Sequence, residues 1–226
     1  MNPTVIQTLA VYAIPVLFAI TVPAAARGYL ARHYGDNNTA FLAGRLSFNP
    51  LRHVDPIGTI AMPLLLYFVT GGSLVFGYSK PVPVDFGALR DPRWQGLRVA
   101  LAAPESNFAM ALAWGILGLT LAAAGIDERF LTGMAAAGIR VNLAMAALNL
   151  VPVPPLDGGR VLAALLPQRL APVFARVEQY GFYIVMALIL TGVLTQIWMR
   201  PVVALLAKAL MMVLSPLQAA LSWFVS

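Results

Sequence analysis

Cysteine is absent from this chain of 226 residues, which excludes disulfides, thiolate zinc sites, iron–sulfur clusters and cysteine nucleophiles in one step. Charge is scarce: Asp, Glu, Lys and Arg make up 11% of the residues, against about 25% in soluble globular proteins. That composition does not fit a water-soluble globule. Histidine is nearly missing, with two copies, His33 and His53, in no metal-ligand spacing with each other. Chemistry must therefore rest on those two histidines, on Asp, Glu or Ser, or on the backbone. Repeats and low-complexity tracts are also lacking, and no soluble stretch reaches the roughly 50 residues of a separate domain. One membrane domain over residues 1–226 is the simplest expectation.

What the chain does have is apolar sequence. Hydrophobic residues are 60% of the total, with a mean hydropathy of +0.79, gathered into several runs of about twenty residues, each able to cross roughly 30 Å of hydrocarbon. The expected fold is an all-α polytopic membrane protein with five or six transmembrane or re-entrant segments, and its first partner is the lipid bilayer. The net charge of +6 and pI near 10.1 come from basic residues lying between apolar runs, without a basic stripe interleaved with aromatics. Nucleic acid is not an expected partner. Those residues instead suit membrane surfaces that face anionic lipid.

The first apolar run, from about Val5 to Ala26, lacks the basic n-region of a signal peptide and reads as a retained span. Residues 27–55 are polar and punctuated by Gly35, Gly44 and Pro50, as in a loop or interfacial segment. Ile57 to Phe76 is apolar but carries Gly58, Pro63, Gly71 and Gly72, so a full span and a re-entrant hairpin are both open; the span is favoured. The segment 27–55 holds four Arg against two Asp, and residues 78–98 hold four basic residues against two Asp. One crossing between them would leave positive loops on both sides, which argues for the re-entrant path. Pro81 and Pro83 remove alternate amide donors and favour an extended stretch over residues 80–85. Further segments are expected at Leu97–Gly125, Phe130–Val153, Tyr180–Met199 and Pro201–Val225, with a break at Pro154-Pro155.

Ionisable groups within spans are expensive and are functional candidates by default. Asp157, just after the proline break, reads either as a metal ligand or proton carrier in a polar cavity, or as the N-cap of a helix starting at Gly158. Glu105 follows Pro104 and has the bland reading of an acidic residue in a helix's first turn. Asn142 and Asn149, seven apart, share a helical face and can bind substrate backbone or join helices by hydrogen bonds. His33 and His53 read as surface or loop residues. The Gly158-Gly159 pair permits close backbone approach.

Four blocks of this sequence, in order, carry a resemblance: Phe18-Ala19-Ile20-Thr21 leading to Gly28-Tyr29-Leu30-Ala31-Arg32; Gly44 to Thr59, with Asn49-Pro50-Leu51-Arg52-His53-Val54-Asp55-Pro56; Lys80 to Val84; and Asn149 to Arg160, with Pro154-Pro155-Leu156-Asp157-Gly158. Over residues 15–185 the chain resembles the site-2 protease family of intramembrane zinc metallopeptidases, in its compact bacterial form without a PDZ insertion. The resemblance implies a site-2 protease-like core over about residues 5–199, an extra C-terminal apolar segment at 201–225, and a multi-pass location in a bacterial cell membrane. Family members carry H-E-x-x-H in the first span, two His one turn apart on zinc and a Glu that activates the metal's water, with the aspartate of the Leu-Asp-Gly block completing the ligands.

In this chain the matching positions read Pro23, Ala24 and Arg27, so no catalytic residue of that motif is intact and Asp157 is the one expected ligand left. Ala103-Pro104-Glu105 departs again from the family's Ala-Gly-Pro followed by a small residue. Pro23 is expected to disrupt the first helix, at about 3 kcal/mol in soluble hosts. A guanidinium has no lone pair to donate, so Arg27 either pairs with Asp157 where the family keeps zinc or snorkels to the surface. The leading expectation is a catalytically inactive site-2 protease-like protein that binds transmembrane helices or peptides, using Asn142 and Asn149, and takes no cofactor of its own. Two other classes stand against it: an active intramembrane zinc endopeptidase recruiting His33 or His53 with Asp157, and a small transporter or channel.

Overall fold

A computed structural model of the chain describes residues 3–37, 82–167 and 176–225, with isolated positions at 39, 44, 46, 47, 49, 61 and 169. Among the described residues the elements are helical: α1 (Pro3–Tyr34), a 3-10 turn (Phe86–Ala88), α2 (Trp94–Ala123), α3 (Arg129–Asn149), α4 (Asp157–Leu165), α5 (Gly181–Leu190) and, after a π-helical turn (Leu194–Met199), α6 (Arg200–Val225). Four stretches are long and apolar enough to span a bilayer: Ala10–Tyr34, Trp94–Ala123, Arg129–Asn149 and Leu194–Leu221; Gly181–Leu190 is apolar but shorter. The protein is an all-helical, multi-pass integral membrane protein. The expected segment at 57–76, with its choice between span and re-entrant hairpin, lies outside the described residues, as do Lys80, Pro81 and His53.

Three helices differ from expectation. First, α1 is continuous through Pro15 and Pro23, although each proline withdraws one amide from the ladder. Packing compensates: Pro15, Ala19, Pro23, Ala25 and Ala31 are buried, and such small faces let neighbouring helices approach and hold a proline-bearing helix in place. The Thr21 hydroxyl adds a bond to the Leu17 carbonyl at 2.7 Å. Second, α2 begins at Trp94 and runs unbroken through Pro104, so Glu105 stands mid-helix and not in a first turn. Third, the break expected at Pro201 falls earlier, at Gly192, whose φ of 72° suits a residue without a Cβ. From Leu194 the chain runs as one span, and Pro201 lies just past the π-helical turn, whose bonding continues into α6 through Arg200 N–H to the Thr195 carbonyl.

Helices α2 and α3 form an antiparallel hairpin. Gly125 (φ 67°) ends α2, with Ile126 N–H bonded to the Leu121 carbonyl at 2.9 Å and Gly125 N–H to the Ala122 carbonyl at 3.1 Å, as in a Schellman helix stop. Glu128 then caps α3, accepting from the Phe130 and Leu131 amides at 3.0 and 2.8 Å. These bonds hold its carboxyl below the ordinary carboxylate range. The hairpin closes because α3 presents Gly138 to the Trp114 ring, where any Cβ would overlap the indole. Helix α1 lies across both members of the hairpin. Against α2, an apolar cluster of Ala31, Leu89 and Val99 gathers Tyr34, Val84 and Phe86. A second apolar cluster of Ala111, Leu143 and Leu210 joins α2, α3 and α6.

Candidate functional site

The break after α3 builds the site. The chain leaves the helix at Leu150 and turns sharply through residues 151–156, with Val153 N–H bonded to the Val151 carbonyl at 2.8 Å and Leu156 N–H to the Val153 carbonyl at 3.0 Å. This turn folds back over the start of α4. A Cβ at Gly158 would overlap the Leu150 carbonyl, and one at Gly159 would sit 2.5 Å from the Pro154 nitrogen. Gly181 at the head of α5 has the Pro154 carbonyl in the same relation. The Gly158-Gly159 pair is thus explained by backbone contact, and it fixes the direction in which Asp157 leaves the turn.

Asp157 is the first residue of α4, preceded by Leu156 in the cap position, which makes no side-chain cap bond. The expected helix start at Gly158, with Asp157 capping it, is therefore corrected by one residue. Its carboxylate lies in the interior, 5% exposed, and accepts through Oδ2 from the Arg27 guanidinium of α1. The two residues are 130 positions apart in sequence. Arg27 is itself 23% exposed, and its Nε is buried without a hydrogen-bond partner. Of the two placements open to Arg27, the structure has the ion pair. The other end of α4 is held as well: Arg93, beside the start of α2, donates to the Ala164 and Leu166 carbonyls at 2.8 and 3.2 Å.

The other candidates separate from this pair. Pro23 is buried one turn before Arg27, and Ala24 beside it is half-buried; neither offers a donor atom. Asn142 is fully buried, but its Nδ2 turns back to the Gly138 carbonyl of its own helix at 2.8 Å, leaving Oδ1 without a partner. Asn149 is the last residue of α3 and is half-buried. His33 is exposed near the end of α1, edge-on to Tyr34. It lines a cavity of about 360 Å³ with Tyr29, Glu105 and Ser106.

Sequence reasoning passed over Asn107, which is fully buried on α2 with both side-chain polar atoms unpartnered among the described residues. Its signal was present: an amide side chain in an apolar run, where burial without a partner is costly and seldom accidental.

A catalytic zinc needs three protein ligands and an open position. Among the described residues, the donor set around Asp157 does not fit one. The carboxylate is engaged by a cation that cannot ligate metal, and the turn of α1 facing it carries Pro23 and Ala24. Among the described residues no three His, Cys, Asp or Glu side chains gather into a metal-holding group.

Comparison with known proteins follows the same outline. The sequence profile described as "Peptidase family M50" matches residues 127–192, the stretch that carries α3, the turn, Asp157 and α5. The chain is 34% identical over 188 residues to "Putative zinc metalloprotease YwhC" of Bacillus subtilis (strain 168), covering 79% of each chain. It is 28% identical over 173 residues to "Putative zinc metalloprotease Rip2" of Mycolicibacterium smegmatis (strain ATCC 700084 / mc(2)155), covering 74% of this chain and 62% of that one. No solved structure matches.

Proposed function

Because the chain belongs to peptidase family M50, the site-2 protease family, we propose that it keeps the family's membrane fold with an ion pair in place of the metal centre, and binds transmembrane helices or peptides without cutting them. The observation that carries this reading is the Arg27–Asp157 pair. Arg27 and Asp157 come from the segments that hold the two halves of the ligand set in the family, and a fixed positive charge on α1 now balances the carboxylate that a dication would otherwise balance. A guanidinium is charged at any working pH and offers only donors. It neutralises Asp157 and ties α4 to α1 without activating water.

Hydrolysis of a peptide bond needs a group to take a proton from water and a group to stabilise the developing oxyanion. At the family's positions for the base and the ligands this chain has Ala24, Pro23 and Arg27, and none can accept a proton. What remains is a membrane bundle with a broken segment and a polar interior, which suits helix or peptide recognition. The lipid bilayer is its environment, and the proposed clients are single-span proteins.

The test compares the unmodified chain with the triple variant Pro23→His, Ala24→Glu, Arg27→His. Both are purified in detergent, assayed for bound zinc, and presented in liposomes with a panel of single-span substrates. The expected result is no stoichiometric zinc and no cleavage by the unmodified chain, with zinc retained by the triple variant through the two new histidines and Asp157. Chelator-sensitive cleavage by the unmodified chain would overturn the reading.

A further inference from the structure

Among the described residues Glu105 is a charge without an evident structural role. It is the twelfth of thirty residues in α2, so at 1.5 Å per residue it lies about 5 Å from the middle of the span. It is exposed on the helix surface, and it makes no ion pair or hydrogen bond among the described residues. A carboxylate within a span, with no counter-charge among the described residues, is a costly placement.

Two cavities meet at this side chain. One is the 360 Å³ space toward α1 that holds Tyr29 and His33. The other is a groove of about 480 Å³ between α2 and α6, floored by the end of α3. Along α2 the groove is lined by Leu101, Glu105, Phe108 and Leu112, which recur at helical spacing over about 16 Å, three turns of helix. Ala109, Ala146 and Ala209 come from the three separate helices. Small residues facing a groove allow another helix backbone to approach closely, as at helix interfaces in membranes. Glu105 is the only charged residue among those lining it.

We propose that this groove seats a transmembrane helix of a client protein that carries a Lys or Arg near mid-membrane, with the client's cation on the Glu105 carboxylate. Depth selects the occupant. A lipid ammonium belongs to the headgroup layer, whereas Glu105 stands eleven residues, about 16 Å of helix, inside the start of its span, so the matching cation has to be carried inward on a helix. A client helix with a lone basic residue is itself penalised in lipid, and the pairing relieves both partners at once. This rests on the reading that the chain binds transmembrane helices, and adds to it a rule for which helices are chosen.

The absence of cysteine allows a single dye to be placed on Asp127→Cys, in the exposed α2–α3 turn. The labelled full chain in phosphatidylcholine vesicles is titrated with acceptor-labelled Leu/Ala single-span peptides carrying a central Lys, Leu or Glu, and energy transfer reports binding. The Lys peptide should bind about tenfold more tightly than the Leu peptide, as expected for an interhelical polar contact of one to two kcal/mol. Glu105→Gln should abolish that preference while keeping the helical content unchanged. Glu105→Lys should transfer the preference to the Glu peptide, which a merely destabilised protein could not do.

Equal saturable binding of all three peptides, unaffected by either variant, would overturn charge recognition and leave helix binding standing. A complete lack of saturable binding would remove both the groove assignment and the helix-binding part of the proposed function. Binding that follows added phosphatidylethanolamine and ignores the peptide's central residue would mean that a lipid holds the site, and would equally overturn the assignment.

Discussion

Removing one member of the Arg27–Asp157 pair should destabilise the protein far more than removing both. Breaking a buried ion pair from one side leaves an uncompensated charge, at about 3–5 kcal/mol, whereas exchanging both members for apolar residues of similar volume is often neutral or stabilising. The two sides are not equivalent here. Arg27→Met strands a carboxylate that is 5% exposed, while Asp157→Leu strands a guanidinium that is 23% exposed and has a long stem able to reach water. We therefore expect about 3 kcal/mol of destabilisation for Arg27→Met and about 2 kcal/mol for Asp157→Leu, with the double variant within about 1 kcal/mol of the parent. The assay is equilibrium unfolding in mixed micelles of dodecyl maltoside and SDS, followed by helicity, with the four proteins forming a double-mutant cycle. Additive effects, with the double variant the least stable of the four, would refute the idea that the pair is a balanced substitute for a charged centre.

Other expectations follow from single contacts. Gly138→Ala places a methyl on the Trp114 indole and should lower stability by about 1–3 kcal/mol through overpacking, read in the same micelle titration; Gly118→Ala, with 3.7 Å to the Ala135 methyl, should be tolerated. Arg93→Ala removes two donors from the end of α4 and should speed amide exchange over residues 157–165 without changing that of α3. Glu128 has a folded-state pKa below its unfolded value because its carboxylate accepts two backbone amides. Its capping contribution is therefore complete above the unfolded pKa near 4.5 and is lost as pH falls through the lower folded value. Exchange at Phe130 and Leu131 should rise across that acidic window, and Glu128→Gln should flatten the response.

The architecture was legible where residue chemistry and span length agree. Runs of apolar residues gave the helices at Trp94–Ala123 and Arg129–Asn149 because lipid leaves the backbone no partners but itself. Prolines were the poorer guide. Pro23 and Pro104 look like breaks in isolation, yet both lie inside continuous helices, since the cost of one missing bond is local and the packing of Ala19, Ala25 and Ala103 around them is not. The real interruption near the C-terminus is set by Gly192, a residue whose left-handed φ leaves no trace in a hydropathy pattern.

The candidate site shows the same division. The Arg27–Asp157 contact was one of two placements consistent with an arginine's charge and reach, and the choice between them depends on burial, which sequence does not carry. Glu105 was read as a local feature of a proline-containing stretch and Asn107 was passed over, because one-dimensional spacing says nothing about which cavity a side chain enters. The backbone turn against Gly158 and Gly159 sets where Asp157 leaves the chain, and its only salt-bridge partner among the described residues is an arginine from another helix. Without a cation beside it the Asp157 carboxylate would be uncompensated in the interior, and the Arg27 guanidinium meets that electrostatic requirement. In the proposed reading Arg27 balances the charge of Asp157, while Pro23, Ala24 and Arg27 together account for the proposed loss of peptide hydrolysis.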